Sequence, residues 1–287
     1  MKSSNFAVFI LTNGRPDRVV TMHALEKCGY TGRIVVLIDN MDAHREAYIK
    51  NFGDKVEVFD KPEIAGCFDK ADNFSNYRAI VYARNACFDV AQRLGITHFV
   101  QLDDDYSDFG YTFDPQDKFY SEGKWVRQID AVFAAYINFL NSTPVSTVAF
   151  AQGGDFIGGE NGGMVKHGPI PKRKAMNSFF CRTDRRIWFV GTINEDVNTY
   201  VWRGGQGAIF LTASFIRLWQ KMSQQSAGGM TETYVEDGTY VKSFYTLLFS
   251  PSCVKIMMMG PVNPRLHHRI SWRHAVPKII PESFRRV

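Results

Sequence analysis

Hydrophobic residues at the start of the chain form two short, unbroken runs. One is FAVFIL at residues 6–11, which stops at the polar segment TNGRP before a helical pattern continues to residue 25. The other covers residues 34–38 and ends at Asp39 and Asn40. Unbroken apolar runs of this kind are typical of strands buried on both faces of a parallel sheet. The pattern therefore predicts a strand–helix–strand unit, in which ligands bind beyond the carboxyl ends of the strands.

The hydrophobic period changes from helical to extended between residues 77 and 102. Apolar residues recur at helical spacing from Tyr77 to Leu94, Gly95 ends the helix, and THFVQL at 97–102 predicts a buried strand. Arg84 falls within the apolar stripe of this helix, where an unpaired guanidinium would be costly. We therefore expect Arg84 to have an anionic partner, which is either a protein carboxylate or a phosphate.

Three consecutive carboxylates, Asp103, Asp104 and Asp105, end this predicted strand and are called the acidic triplet below. They repel one another, and their burial costs free energy unless a cation takes up the charge. Oxygen ligands suit Mg²⁺ or Mn²⁺, which typically bind one or two carboxylates together with substrate phosphates. The alternative interpretation is an acidic turn exposed to solvent.

The rest of the chain predicts less regular elements. We expect an edge strand at 56–59, a polar connection that closes over the ligand at 60–74, a loop at 108–123, a helix at 125–140 and a core strand at 145–151. Six glycines within residues 153–163 indicate either a hairpin tip or a flap. No phosphate-binding loop or G-x-G-x-x-G motif is present, which argues against a dinucleotide cofactor.

A second acidic motif follows in the segment NEDVNTY at 194–200. Asn194 is predicted to be the N-cap of a helix whose first turn contains Glu195 and Asp196, called the acidic pair below. An acid-rich helix start of this kind is common and also occurs without any catalytic role. Glu236 and Asp237 form a rival pair, although the Gly238 that follows them is more typical of a turn.

Composition and charge limit the classes of protein to which the chain can belong. The chain has 287 residues, 45% of them hydrophobic, with no apolar run long enough for a membrane span and no secretory leader. Its five cysteines show no C-x-x-C spacing, so we expect reduced thiols and a cytoplasmic location. Lys and Arg outnumber Asp and Glu by eight to three at 166–203 and by six to one at 265–287. Two such basic segments indicate a polyanionic partner.

Ala83-Arg84-Asn85 followed by Leu102 and the acidic triplet resembles the A-R-N…L-D-x-D-D core of the GT-A nucleotide-sugar transferases, especially the large family-two group. The resemblance covers about the first 110 residues well and thins after that. It implies an α/β fold with a Rossmann-like mixed sheet flanked by helices. We expect a single composite domain over residues 1–287, with a nucleotide-sugar-binding half at 1–106 and an acceptor-binding half at 107–287.

The same resemblance implies roles for particular residues. Asp103 and Asp105 would flank the divalent cation, and a late histidine, for which we choose His268, would complete its ligands. Asp196 would be the general base, with Glu195 beside it. The donor would be a UDP-sugar bound by Thr12, Arg15, Asp39, Arg84, Asp103 and Asp104.

The later segments QLDDDY, NEDVNTY and HHRISW are similar to the TET-associated glycosyltransferases. This resemblance implies a phage-type enzyme that adds sugar to hydroxymethylated pyrimidines such as 5-hydroxymethylcytosine in DNA, within the host cytoplasm and with inversion at the sugar. No membrane or obligate protein partner is expected. The DNA contacts are predicted to come from Lys172, Arg173, Lys174, Arg182, Arg185 and Arg186.

Two other classes of function remain open from the sequence. One is a glycosyltransferase that acts on a polysaccharide or a protein, which would be retained weakly on DNA. The other is a non-catalytic module that binds a nucleotide sugar or DNA, which would neither hydrolyse nor transfer the donor sugar. The presence of Asp103, Asp105 and Asp196 argues against the second class.

Overall fold

The computed structural model describes residues 5–72, 77–116, 118–156, 158–167, 178–220, 241–259 and 264–275. The α-helices in these ranges are α1 (Val20–Lys27), α2 (Arg45–Phe52), α3 (Lys61–Ala65), α4 (Val81–Arg93), α5 (Ile129–Ser142), α6 (Gly163–His167), α7 (Glu195–Gly205), α8 (Val241–Phe249) and α9 (Trp272–Ala275). The strands are β1 (Phe6–Leu11), β2 (Arg33–Asp39), β3 (Val56–Phe59), β4 (His98–Asp103), β5 (Tyr106–Phe113), β6 (Phe119–Trp125), β7 (Thr147–Gln152), β8 (Phe179–Arg182), β9 (Phe210–Gln220), β10 (Val254–Met259) and β11 (Arg265–Ile270).

Nine of these strands form one mixed sheet in the order β3-β2-β1-β4-β8-β7-β9-β5-β6. The first four strands in this order are parallel, and β8 is antiparallel to both β4 and β7. Beyond β8, strand β9 is parallel to β7, whereas β5 and β6 are antiparallel additions. This arrangement confirms the predicted α/β fold with a Rossmann-like mixed sheet, and strands from both halves of the chain belong to that one sheet.

The strand directions bring several chain segments to one edge of the sheet, which we call the ligand edge. Strands β1, β2, β4, β7 and β9 end there, and β5 and β8 begin there. Ligands in open α/β sheets bind beyond the carboxyl ends of the strands. The ligand edge is therefore where the functional site is expected.

The core lies on both faces of the sheet, as the unbroken apolar runs predict. Successive side chains of β1 alternate, so Ala7 and Phe9 pack on the face covered by α3, α4 and α7, while Val8 and Ile10 pack on the face covered by α1 and α5. The predicted edge strand at 56–59 is also confirmed as β3. In the described part of the chain, no helix has the length and apolar content needed to cross a membrane. The cysteines form no disulfides, and only Cys67 is exposed.

The loop predicted at 108–123 is wrong, because β5 and β6 occupy most of it. Its polar and aromatic residues do not give a clear local pattern, and β5 is stabilised by pairing with β9, a strand about 110 residues later in the chain. The glycine-rich segment at 153–163 contains short 3-10 turns rather than a hairpin. Within it, Phe156 packs near Phe119 and Ala151 in a small separate cluster.

Strands β10 and β11 form a separate two-stranded ribbon that is joined to α9. Trp272 of α9 stacks on Tyr200 of α7, with ring centroids 5.8 Å apart. Gly204 of α7 lies directly beneath α9, and a Cβ atom at Gly204 would lie 2.3 Å from the carbonyl oxygen of Ala275. The close approach of α9 to α7 therefore requires glycine at position 204.

Gly204→Ala is expected to lower the free energy of unfolding by roughly 1–3 kcal/mol, because the added methyl group must displace a backbone carbonyl. The adjacent Gly205 provides a matched control, since a Cβ there meets nothing within 4 Å. Gly205→Ala should be neutral or slightly stabilising. Urea unfolding measures both changes, and equal stability of the two variants would contradict the packing of α9 on α7.

Candidate functional site

The acidic triplet lies at the ligand edge, but its three side chains have different surroundings. Asp104 is 1% exposed. Its carboxylate accepts a hydrogen bond from Thr12 Oγ1 at 2.7 Å and forms an ion pair with Arg15 Nη2 at 2.9 Å. Asp103 and Asp105 are partly exposed and contact other elements. Asp103 is the last residue of β4, whereas Asp104 and Asp105 form the turn that leads into β5, and this turn places the three side chains among different partners.

Asp104 stabilises the loop between β1 and α1 through its contacts with Thr12 and Arg15. Burial raises the pKa of Asp104 to about 6, against the lowering effect of Arg15. Tyr48 reinforces the same loop, since its hydroxyl lies 2.9 Å from Thr12 Oγ1 and accepts the backbone N–H of Arg15 at 2.8 Å. The structure thus brings together Thr12, Arg15 and Asp104, three of the predicted donor-binding residues. Tyr48, which lies on the second helix, could not be identified from local sequence.

Asp39 ends β2 at the same edge and is 3% exposed. One of its oxygens accepts hydrogen bonds from Lys61 Nζ at 2.7 Å and Asn13 Nδ2 at 2.8 Å, and the other accepts the N–H of Met41 at 3.0 Å. Lys61, the first residue of α3, was not identified from the sequence. Asp39 is therefore held by protein groups beside the β1–α1 loop, and its contact with a nucleoside stays a prediction.

Arg84 links the acidic triplet to the acidic pair. Its side chain is 1% exposed, and it donates from Nη2 to Asp103 at 3.1 Å and from Nε to Glu195 at 3.0 Å. The ring centroids of Phe179 and Phe189 lie 5.2 and 6.0 Å from the central carbon of the guanidinium and 5.0 Å from each other, so both rings pack on the same side of Arg84. Of the two kinds of partner left open by the sequence, the structure provides protein carboxylates.

Negative charge exceeds positive charge around Arg84. Burial raises the pKa of Asp103 to about 7, because loss of water outweighs the attraction of Arg84 and because Asp105 and Glu195 add negative charge. Burial likewise raises the pKa of Glu195 despite its bond to Arg84. The charges of Asp103 and Glu195 raise the pKa of Arg84, so its guanidinium stays charged. A group of carboxylates with this excess of charge favours the uptake of a proton or another cation.

Asp105 is oriented by the last residue of β9. Both of its carboxylate oxygens lie within hydrogen-bonding distance of the Gln220 amide, at 2.8 and 2.9 Å. The buried Tyr106 follows directly, and its hydroxyl lies 3.4 Å from the amide nitrogen of Gln152, the last residue of β7. Strands β4, β5, β7 and β9 thus meet at the acidic triplet, although their pairing was not predictable from local pattern.

Asp103 and Asp105 fit a cation that shares its ligands with substrate phosphates. Within the described ranges, no three or more His, Cys, Asp or Glu side chains form a metal-binding group. Mg²⁺ typically uses one or two carboxylates plus phosphate oxygens rather than a cage made only of protein groups. His268 lies on β11 opposite Ile256 and is not grouped with the carboxylates, so its role as a ligand stays a prediction.

Asn194 occupies the N-cap position of α7, as predicted, but it lacks the expected side-chain cap. Asn194 has a φ of 63°, in the left-handed region, and its side chain makes no capping hydrogen bond. It donates instead to Thr246 Oγ1 of α8 at 2.8 Å, and Thr246 donates to Asn198 at 2.8 Å. A non-glycine residue held in this conformation typically costs about 1–3 kcal/mol, which the surrounding contacts must offset. Helix α8 therefore positions the residue that precedes the acidic pair.

The two members of the acidic pair differ in their surroundings. Glu195 is buried against Arg84, whereas Asp196 is partly exposed and accepts the N–H of Val197 at 2.7 Å. The rival residues Glu236 and Asp237 lie outside the described residues. Of the two acids at the start of α7, Asp196 is therefore the one whose side chain can meet an acceptor.

The polar connection predicted at 60–74 contacts the segment before the acidic pair. The N–H groups of Gly191 and Thr192 donate to the carbonyls of Asp69 and Lys70 at 2.9 and 3.1 Å. The Asp72 carboxylate accepts hydrogen bonds from the hydroxyls of Thr192 and Tyr245. The donor half and the acceptor half are thus joined directly beside Asp196.

Of the six predicted DNA-binding residues, the three that the structure describes do not gather at the ligand edge. Arg182 pairs with His98 at the start of β4, about 16 Å along the strand from Asp103, and it is bonded to Asp184. Arg186 forms an ion pair with Asp89, and Arg185 donates to the carbonyl of residue 143 at 3.4 Å. The residues Lys172, Arg173 and Lys174 lie outside the described residues.

Arg84→Met should lower the free energy of unfolding by about 3–5 kcal/mol, because it leaves the buried Glu195 and the largely buried Asp103 without their shared cation. Arg93, on the same helix, is the matched control: its side chain is 56% exposed and pairs with Glu57 at 2.7 Å. Arg93→Met should cost about 1 kcal/mol or less. Urea unfolding compares the two variants, and a similar small loss in both would contradict the bridging role of Arg84.

Comparison with known proteins agrees with this geometry. The model of the family described as TET-Associated Glycosyltransferase matches residues 6–229, which include both the acidic triplet and the acidic pair. No curated protein matches the chain. The matched range covers well over half of the 287 residues. The chain therefore belongs to the TET-associated glycosyltransferase family.

Proposed function

We propose that this glycosyltransferase moves a sugar from a UDP-sugar-type donor to a hydroxymethylated pyrimidine, 5-hydroxymethylcytosine, in DNA. The reaction would depend on Mn²⁺ or Mg²⁺ and would invert the configuration at the sugar. The observation that supports this most is the buried Arg84, which bonds to Asp103 and Glu195 and so holds the donor-side and acceptor-side acids in one site.

On the donor side, Asp103 and Asp105 would hold the cation. Burial, together with the neighbouring carboxylates Asp105 and Glu195, raises the pKa of Asp103 to about 7, and this excess of negative charge suits the site to a positive ion. A bound divalent cation neutralises charge that develops on a leaving diphosphate. The Gln220 amide would keep the Asp105 carboxylate oriented, and Arg15, braced by Asp104, would stand beside the donor.

On the acceptor side, Asp196 would act as the general base. It would take the proton of the hydroxymethyl group while that oxygen forms a bond to the anomeric carbon and the bond from this carbon to the diphosphate breaks. Attack opposite the leaving group inverts the anomeric configuration. Glu195, which is bonded to Arg84, would position the start of α7 rather than accept the proton.

The DNA acceptor rests on the similarity to this family and on the basic segments of the chain. Nucleosides from hydroxymethylcytosine DNA, analysed by mass spectrometry after incubation with a panel of sugar nucleotides, test it directly. We expect one sugar mass to be added to hydroxymethylcytosine and not to unmodified cytosine. Transfer to a glycan or protein acceptor with no product on DNA would overturn this acceptor.

Asp105→Asn is expected to abolish the part of donor affinity that depends on the divalent cation, because it removes a negative charge at the proposed metal site. Calorimetry of UDP-sugar binding with and without Mn²⁺ measures this dependence. Asp108→Asn is the control, since Asp108 is ion-paired with Lys27 at 2.5 Å rather than with site residues. An unchanged effect of Mn²⁺ in Asp105→Asn would show that the metal assignment is wrong.

Asp196→Asn is expected to lower kcat by roughly 10²–10⁴, the usual contribution of a positioned base, with donor affinity unchanged. Glu195→Gln should instead lower stability, because it weakens the pair with Arg84. Steady-state kinetics and thermal unfolding of the two variants separate these effects. If Asp237→Asn produces the kinetic loss and Asp196→Asn does not, the general base is in the other acidic segment.

A further inference from the structure

The ribbon formed by β10 and β11 has one face that is strongly basic. In its antiparallel register, Val254 pairs with Ile270 at the base, and Lys255 pairs with Arg269 at the next position. Lys255 and Arg269 are both exposed. Directly opposed residues lie on the same face of a sheet, and like charges at such positions are destabilising. This cation pair therefore does not serve the stability of the ribbon.

The surrounding sequence does not neutralise these charges. Residues 250–275 contain four Lys or Arg residues and no Asp or Glu. Among the residues that the structure describes, no carboxylate forms an ion pair with Lys255, Arg269 or the exposed Arg273 of α9. The side-chain hydrogen bond that Arg269 makes there is to the Met257 sulfur, at 3.7 Å. Arg182 and Arg186, in contrast, are neutralised by Asp184 and Asp89.

The base of the ribbon is attached to the helix that presents the proposed general base. Val254 and Ile270 pack in the same hydrophobic cluster as Val197 and Tyr200 of α7. Tyr200 lies one helical turn after Asp196 and stacks on Trp272, two residues after the ribbon ends. A partner bound along the ribbon would therefore be held in a defined position relative to Asp196.

We propose that the basic face of this ribbon, with Lys255, Arg269 and Arg273, binds the phosphate backbone of the duplex DNA acceptor. The six paired positions of the ribbon extend about 17 Å, long enough to cross the major groove of B-DNA, which is about 12 Å wide and admits a two-stranded ribbon. The ribbon lies beyond residues 6–229, the range that the family model matches. This assignment rests on the proposed DNA acceptor and identifies the surface that would hold it.

The test is a triple variant of the full-length protein, Lys255→Gln, Arg269→Gln and Arg273→Gln. Its affinity for a labelled hydroxymethylcytosine duplex is measured by fluorescence anisotropy between about 50 and 200 mM salt. The slope of log K against log salt should become shallower by about 0.9 for each lost phosphate contact, or by about 2.7 for three. Affinity at about 0.1 M salt should fall by roughly eightfold for each contact.

The matched control is Lys50→Gln, Lys55→Gln and Arg93→Gln, which removes the same charge from exposed positions in the nucleotide-binding half. Its salt slope should equal that of the wild type. In the ribbon variant, transfer to free 5-hydroxymethyl-2′-deoxycytidine should be unchanged, and the Tm should be unchanged or slightly higher because a like-charge pair is removed. An unchanged slope in the ribbon variant, or an equal change in both triple variants, would overturn the ribbon assignment and leave the proposed function intact. A wild-type protein that transfers sugar but does not bind DNA would overturn both the ribbon and the DNA acceptor.

Discussion

The buried guanidinium of Arg84 is the interaction on which the arrangement of the site depends. It is bonded to Asp103 at the end of β4 and to Glu195 at the start of α7, two residues separated by more than ninety positions in the chain. A buried ion pair is costly unless its geometry satisfies the charges, and removal of one partner leaves the others exposed to that cost. The ionic contact between the donor-side strand and the acceptor-side helix therefore depends on all three side chains.

The three members of the acidic triplet have different roles because the chain leaves β4 at Asp103 and turns through Asp104 and Asp105 before β5 begins. Asp104 turns inward and holds the β1–α1 loop through Thr12 and Arg15, so it contributes to structure. Asp103 and Asp105 remain at the surface of the ligand edge, where their mutual repulsion favours a cation. The acidic triplet thus contributes one carboxylate that holds the β1–α1 loop and two carboxylates that give the site its negative charge.

On the acceptor side, the start of α7 is held in place by elements from the last part of the chain. Asn194 has a strained left-handed backbone immediately before the acidic pair, and Thr246 of α8 bonds to it. Trp272 stacks on α7 one turn further along. The segments that close the fold therefore also hold the helix of the proposed general base, which links the C-terminal ribbon to the chemistry of the site.

The hydrophobic pattern by itself determined the buried strands β1, β2 and β4 and the helix before β4, while the acidic strand end and the family resemblance came from short sequence motifs. These features follow from local period and composition, which report burial directly. Only the tertiary structure decided that Arg84 bonds to carboxylates, that the side chain of the N-cap residue Asn194 bonds to Thr246 rather than to the start of α7, and that Arg182 lies at the edge opposite the triplet. Those outcomes depend on which distant strands and helices become neighbours, and the pairing of β5 with β9 is an example. A local pattern does not specify which distant strand or helix becomes the neighbour, because many possible neighbours would bury the same apolar residues and pair the same charges.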